Sequence, residues 1–171
     1  VSGGFSNSIS GSNQSALDFS SGQYVRIPNS PSLFNFSEFT VEFWYYQTNF
    51  SGGDENIVGT ELSQRFQVEN QHGDWSAYFG IDGTCNACID YWNSSDNTPP
   101  IIQNTWHHFA ASYDGSNIRF YLNGTLLQSK TVSLPTFSII TEDLVINRHT
   151  WSGGSSSSSR LSGQLDELRI S

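Results

Sequence analysis

The chain has 171 residues and carries 7 Lys and Arg against 16 Asp and Glu, a formal charge of -9 at pH 7. Proteins that hold phosphate backbones draw affinity from Lys and Arg displacing counterions, so nucleic acid and anionic membranes are poor partners, while cations, neutral sugars and other proteins stay open. The 12 Phe, 7 Tyr and 5 Trp, with no Met, favour rigid cores and flat contact surfaces, and no apolar run approaches the roughly 20 residues that span a bilayer.

A chain of this length can bury a core unaided, and residues 1–171 read as one domain. The start at Val1, without a signal-peptide pattern, fits a processed chain or an excised domain. Low charge and abundant Ser, Thr, Asn and Gly suit an extracellular or cell-surface setting.

Residues 1–14 are rich in Ser, Gly and Asn, with Phe5 and Ile9 as the apolar anchors, and are expected to be loosely held. From there period-2 alternation recurs and helical periodicity does not. Tyr24-Val25-Arg26-Ile27 alternates and stops at Pro28. In Phe39 to Tyr46, Phe39, Val41, Phe43 and Tyr45 fall on one face and Thr40, Glu42, Trp44 and Tyr46 on the other. Further strands are predicted at 56–60, 65–69, 75–81, 89–92 and 106–113. Asp114-Gly115 then gives a hairpin signal. Strands follow at 118–122 and 125–132, joined by Asn123-Gly124, a second such signal, and the last two lie at 142–147 and 164–170. Ser152 to Ser159 reads as a flexible loop. Roughly a dozen short strands at regular spacing indicate an all-β sandwich or barrel.

Cys85 and Cys88 lie in a C-x-x-C with no helix beside it to lower a thiol pKa. A local disulfide clipping a hairpin loop, in an oxidising compartment, is the favoured reading over a redox motif. A metal site would need further ligands.

Four segments in order resemble bacterial laminin-G-like domains of the concanavalin A-like superfamily: Ser15-Ala-Leu-Asp-Phe-Ser-Ser-Gly-Gln-Tyr-Val-Arg-Ile-Pro28, Phe39-Thr-Val-Glu-Phe-Trp44, the hairpin pair from Asn104 to Gly124, and Ser162 to Ile170. The resemblance covers about residues 15–170. It implies an antiparallel two-sheet β-sandwich, a jelly roll with one concave and one convex sheet. Relatives include lectins, pentraxins, adhesion modules and some glycoside hydrolases, so the fold alone does not name the function.

A glycosidase needs two carboxylates facing each other across a sugar, about 5–5.5 Å or about 6.5–9.5 Å apart. The E-x-D-x-x-E strand of the superfamily's hydrolases is absent, and the adjacent acids Asp54-Glu55 and Asp166-Glu167 would point to opposite faces of extended chain. The chain is therefore read as no enzyme. His107-His108 lie inside a core strand, one expected buried and satisfied, the other exposed. Pentraxins bind calcium with acids from two neighbouring loops. Gly53-Asp54-Glu55-Asn56 resembles the first, but Arg148 and His149 stand where the second has acids, which puts that two-calcium site in doubt. A structural calcium found in many bacterial members would fall on Asp166 and Asp18, where the first and last strands meet.

Sugar sites pair aromatic platforms with amide, acid and guanidinium groups. Trp44 and Trp106, inside core strands, are expected to be buried, which leaves Trp75, Trp92 and Trp151 at loop margins. If the pentraxin comparison holds, loops 47–56 and 147–154 lie side by side and gather Asp54, Glu55, Arg148, His149 and Trp151, with Trp75, Tyr91 and Trp92 beside them. The leading expectation is a non-catalytic module that binds carbohydrate or a glycosylated surface. The alternative is a structural subunit of an extracellular filament or surface assembly, its copies exchanging the N-terminal segment as an added strand. Replacing Trp151 by Ala is expected to abolish a glycan-array signal and to leave the thermal midpoint nearly unchanged.

Overall fold

A computed structural model describes residues 4–7, 15–30, 38–50, 54–60, 66–71, 74–81, 84–90, 102–131, 142–148, 150–151, 154–155 and 160–171. These contain β-strands and no helix. The first eight are β1 (Gly4–Asn7), β2 (Ser15–Asp18), β3 (Val25–Ile27), β4 (Phe39–Asn49), β5 (Asp54–Thr60), β6 (Phe66–Gln71), β7 (Asp74–Ile81) and β8 (Thr84–Asp90). The remainder are β9 (Trp106–Tyr113), β10 (Asn117–Leu122), β11 (Thr125–Thr131), β12 (Leu144–Ile146), β13 (Thr150–Trp151), β14 (Gly154–Ser155) and β15 (Ser162–Ile170). One sheet runs β1-β2-β15-β4-β9-β10-β11, the other β3-β12-β5-β6-β7-β8, and β13 pairs with β14 in a small ribbon. The expected all-β, two-sheet antiparallel sandwich is what the chain forms.

The core follows from strict alternation along β4. Phe39, Val41, Phe43, Tyr45 and Gln47 are closed off from solvent. Register sets Phe43 opposite Phe109 and Val41 opposite Ala111. The Phe43 and Phe109 rings stack with centroids 5.2 Å apart, and Phe120 continues the row 5.6 Å beyond Phe109. The other sheet contributes Ile57, Val58, Val68, Leu144 and Ile146. Each such side chain, removed from water, contributes on the order of 1.5–3 kcal/mol before entropy is charged against it. Gly163 of β15 is fixed by proximity: a Cβ there would come within 1.9 Å of the Tyr46 carbonyl oxygen.

Both predicted hairpins form. Asn123 and Gly124 have φ of 50° and 77°, the left-handed pair that a two-residue turn between twisted strands requires. At the other hairpin Asp114 Oδ1 accepts the backbone N–H of Ser116 at 3.0 Å and of Asn117 at 2.7 Å, and Oδ2 accepts from Arg119 Nη1 at 2.5 Å.

Four expectations change in the structure. Gly4–Asn7, placed in a loose segment, pairs with β2 as an edge strand. Gly154–Ser155, placed in a flexible loop, pairs with Thr150–Trp151. Trp44, expected to be buried, is 38% exposed, and Trp106 is only half-buried; both strands are core strands, but only alternate residues face the core, and these two lie on the other parity. Cys85 and Cys88 sit within β8, paired with β7, rather than in a hairpin loop. Three residues of extended chain span about 10 Å at roughly 3.3 Å each, beyond the ~7 Å limit between disulfide-linked Cα atoms. A bridge between the two would require this stretch to leave the strand.

The backbone N–H of Asn117, and after it the Arg119 guanidinium, lower the Asp114 pKa from 3.8 to about 2. A carboxyl depressed in the folded state stabilises the fold fully above its unfolded pKa, and that contribution is lost as pH falls through the folded value. Asp114→Asn is therefore expected to flatten the fall in thermal midpoint between pH 4 and pH 2, measured by circular dichroism melts against the parent chain.

Candidate functional site

The outer face of the six-stranded sheet is set by the register of β5 and β6. Val68 lies opposite Val58, both in the core, so Gln67 and Glu69 turn the other way. Asn56 is the register partner of Glu69, and a bulge falls between Asn56 and Val58. The bulge decides the site. Counted back from Val58, a regular strand would turn Asn56 inward and Glu55 outward; the extra residue does the reverse.

Glu55, expected in the ligand patch, is accordingly inside the sandwich. It is fully buried, and its Oε2 accepts from Gln47 Nε2 at 2.7 Å, with the Tyr45 hydroxyl at 3.5 Å. Its role is to end the core with a satisfied polar cluster.

On the outer face Asn56, Gln67 and Glu69 are all buried. Gln67 Nε2 donates to Glu69 Oε2. Asn56 Nδ2 donates to the Arg148 carbonyl oxygen at 3.0 Å, while Asn56 Oδ1 is buried without a donor, an omission that costs about 1–3 kcal/mol. Beside it, the Arg148 guanidinium lies 4.6 Å from the centroid of the Tyr24 ring. Tyr24 is 37% exposed. The cluster thus combines one buried acceptor oxygen without a donor, that of Asn56, with an exposed ring under a cation.

Asn147 holds this arrangement in place. It is fully buried with φ of 60°, a left-handed conformation that Asn tolerates. Its backbone N–H donates to the Ile57 carbonyl at 3.0 Å, its Nδ2 donates to the carbonyls of Gln23 at 2.8 Å and Leu161 at 3.3 Å, and its Oδ1 accepts the Leu161 N–H. Arg160 Nη1 donates to the Gly22 carbonyl. Both feet of the 148–160 excursion, which includes the β13–β14 ribbon, are therefore tied to the segment that presents Tyr24.

The two loops expected to be neighbours do meet, at Asn56 with Arg148 and at Ile57 with Asn147. Asp54 opens β5 opposite Gln71, Trp75 lies in β7 opposite Asn70, and Trp151 lies in β13. Tyr91, Trp92 and His149 lie outside the described residues. Sequence reasoning missed Tyr24, Gln67 and Glu69. Their signal was the alternation in Tyr24-Val25-Arg26-Ile27 and Phe66-Gln67-Val68-Glu69, which sets each on the face opposite the core.

The candidate calcium ligands are two carboxylates on neighbouring strands. Asp18 and Asp166 lie on one face where β2 meets β15, with Asp18 opposite Gln164. Asp18 Oδ1 accepts the Ser20 N–H and Asp166 Oδ1 the Glu167 N–H, both at 2.8 Å. Among the described residues no three His, Cys, Asp or Glu come together, and two carboxylates already turned to local N–H groups fall short of the about six to eight oxygens calcium takes. His107 is buried, its Nε2 3.1 Å from the Ile102 carbonyl and its Nδ1 3.3 Å from Asn123 Nδ2, a pattern the Nε2–H tautomer satisfies at both ends. His108 faces outward, 3.6 Å from Glu42.

A laminin-G family model described as the concanavalin A-like lectin/glucanases superfamily matches residues 19–171. No curated protein matches the chain. Among solved structures, domain 4 of AbnA, an extracellular arabinanase from Geobacillus stearothermophilus in complex with arabinotriose, is similar with a TM-score of 0.67 at 18% identity, over 99% of this chain and 75% of that one. A putative carbohydrate binding protein from Bacteroides ovatus gives 0.61 at 19% identity, over 98% of this chain and 42% of that one. A heptameric SAP-like pentraxin from Limulus polyphemus gives 0.57 at 16% identity, over 78% of this chain and 63% of that one. The chain thus spans less than two thirds of the latter two. At these identities the likeness is one of fold.

Asn147→Ala removes the side-chain bonds to Gln23 and Leu161 and leaves buried groups unpaired, at a cost of roughly 3 kcal/mol. A lowered urea midpoint, only partly recovered in Asn147→Gly, which relieves the left-handed backbone but restores no hydrogen bond, is the expected result.

Proposed function

The chain belongs to the concanavalin A-like lectin/glucanases superfamily over residues 19–171, and on that premise we propose that it is a non-catalytic extracellular module that binds carbohydrate, free or on a glycoprotein surface. The observation that carries the reading is the exposed Tyr24 ring under the Arg148 guanidinium, a residue whose backbone carbonyl in turn holds Asn56, the register partner of Glu69. A sugar presents an apolar face to a ring and hydroxyl donors to acceptors. The Arg148 guanidinium gives a directional donor at the rim.

The acids near this face support binding over hydrolysis. Glycoside hydrolysis needs two carboxyl groups opposed across a sugar. Here Glu69 is engaged by Gln67, and Glu55 lies on the other side of the same sheet, against Gln47. Two of the similar folds come from proteins whose names refer to carbohydrate, a putative carbohydrate binding protein and an arabinanase domain in complex with arabinotriose, which makes neutral plant-type glycans the first to try.

The test uses the whole chain on a glycan array and in isothermal titration with whatever oligosaccharide the array identifies. Tyr24→Ala, at an exposed position, and Arg148→Ala, at a half-buried one, are expected to weaken binding about tenfold or more, since a ring stack and a directional donor each contribute ~1 kcal/mol or more, and Tyr24→Ala to melt within a few degrees of the parent. Full affinity in both variants would remove this face from consideration.

A further inference from the structure

The opposite side of the sandwich, the outer face of the seven-stranded sheet, carries ligand-type groups that the first site does not use. Register sets Tyr46 beside Trp106 and Trp44 beside His108, with ring centroids 5.4 Å and 5.1 Å apart. Trp44 and Tyr46 are alternate residues of one strand, so the four rings form a two-by-two plaque across β4 and β9. Trp44 is 38% exposed, whereas Phe43 and Tyr45 beside it are closed off.

The rim of the plaque is charged and oriented. Glu42 is the next outward residue of β4; its Oε1 accepts from Arg169 Nη1 at 3.0 Å, and its Oε2 lies 3.6 Å from His108 Nε2. Asp166 is the register partner of Trp44 on β15. A carboxylate aimed by a guanidinium and an imidazole loses little side-chain freedom when it accepts a hydroxyl.

This combination selects its occupant. A wholly apolar face would suit a helix or a second sheet, but here rings alternate with oriented charged groups, as the apolar face and polar rim of a pyranose require. Glu42 is paired with Arg169 and Asp166 adds a further carboxylate, so the patch disfavours uronates, and uncharged sugars meet its rings and rim without a charge to neutralise. Trp44 and Tyr46 follow one another along a strand, a row of rings suited to successive sugars of a chain. We infer that this face is a second carbohydrate platform, taking an extended, neutral polysaccharide chain, so that one molecule holds two chains on opposite sides. The inference shares with the proposed function only the class of ligand; it uses none of the same residues.

Migration of the whole chain in native gels containing soluble arabinan, xylan or mixed-linkage β-glucan tests both sites together. Trp44→Ala and Trp44→Thr, the second keeping a strand-favouring residue, are each expected to weaken retardation about tenfold, the size of a lost ring stack, and to melt like the parent. The double variant with Tyr24→Ala is expected to run unretarded, and turbidity that the parent raises by bridging polysaccharide chains is expected to vanish in either single variant. Oxidation of exposed Trp in the parent, mapped by peptide mass, is expected to spare Trp44 when the retarding polysaccharide is present. Parent-like retardation of both Trp44 variants, or unprotected oxidation of Trp44, overturns the second platform however Tyr24→Ala behaves. Parent-like retardation of Tyr24→Ala with loss in the Trp44 variants overturns the first site and leaves this one standing. A parent retarded by none of the three polysaccharides overturns both.

Discussion

Alternate residues of β4, from Phe39 to Gln47, are closed off from water, and most of the molecule is arranged around that row. Because the side-chain period of a strand is two, burying one parity commits the other to the outside. Register then carries the choice to β9 and β15, so that Phe109 and Leu165 go in with Phe43 and Tyr45 while His108, Trp106 and Asp166 come out with Trp44 and Tyr46. The platform proposed on that face is a consequence of the core, produced by the same alternation. The packing fixes where those positions are; it leaves free what occupies them.

The other sheet departs from that regularity at one point, and its site depends on the departure. The β5 bulge sends Glu55 into the sandwich and Asn56 out of it. Burying polar groups is costly unless they are paired. The inward group meets the condition through Gln47 and Tyr45. The outward one meets it in part, since Asn56 gives its N–H to the Arg148 carbonyl and keeps an orphan oxygen. Asn56 Oδ1 is one of several buried side-chain acceptors without a donor among the described residues; what sets it apart is its place beside the Arg148 carbonyl, at the foot of a loop.

Much of this was legible in the sequence, for physical reasons that differ by element. Period-2 runs, Asp114-Gly115 and Asn123-Gly124 are local signals, so the strands and both hairpins could be read directly. The meeting of segments 56–57 and 147–148 was reachable by resemblance. Three things were not. A bulge depends on the partner strand, so nothing within Asp54-Glu55-Asn56 announces the inversion that buries Glu55. Asn147 reads as a loop residue, and its grip on Gln23, Ile57 and Leu161 joins segments far apart in the chain. Trp44 and Trp106 were misread for another reason: membership in a core strand was taken for burial, although the alternation already set Trp44 with Glu42 and Tyr46.

The same distinction explains why family membership and function separate in this chain. Inward positions are held by volume and packing, and they suffice to keep the fold recognisable at identities of 16–19% to the three structures compared. Outward positions that reach solvent, such as Tyr24 and Trp44, escape that constraint, because water accepts many side chains there. The two proposed sites draw on such positions: Tyr24 and Arg148 on one side, Trp44 and its neighbours on the other. A sandwich has two such faces, separated by its own core. In the proposal of two platforms, the core that defines the fold also sets the distance between the chains they would hold.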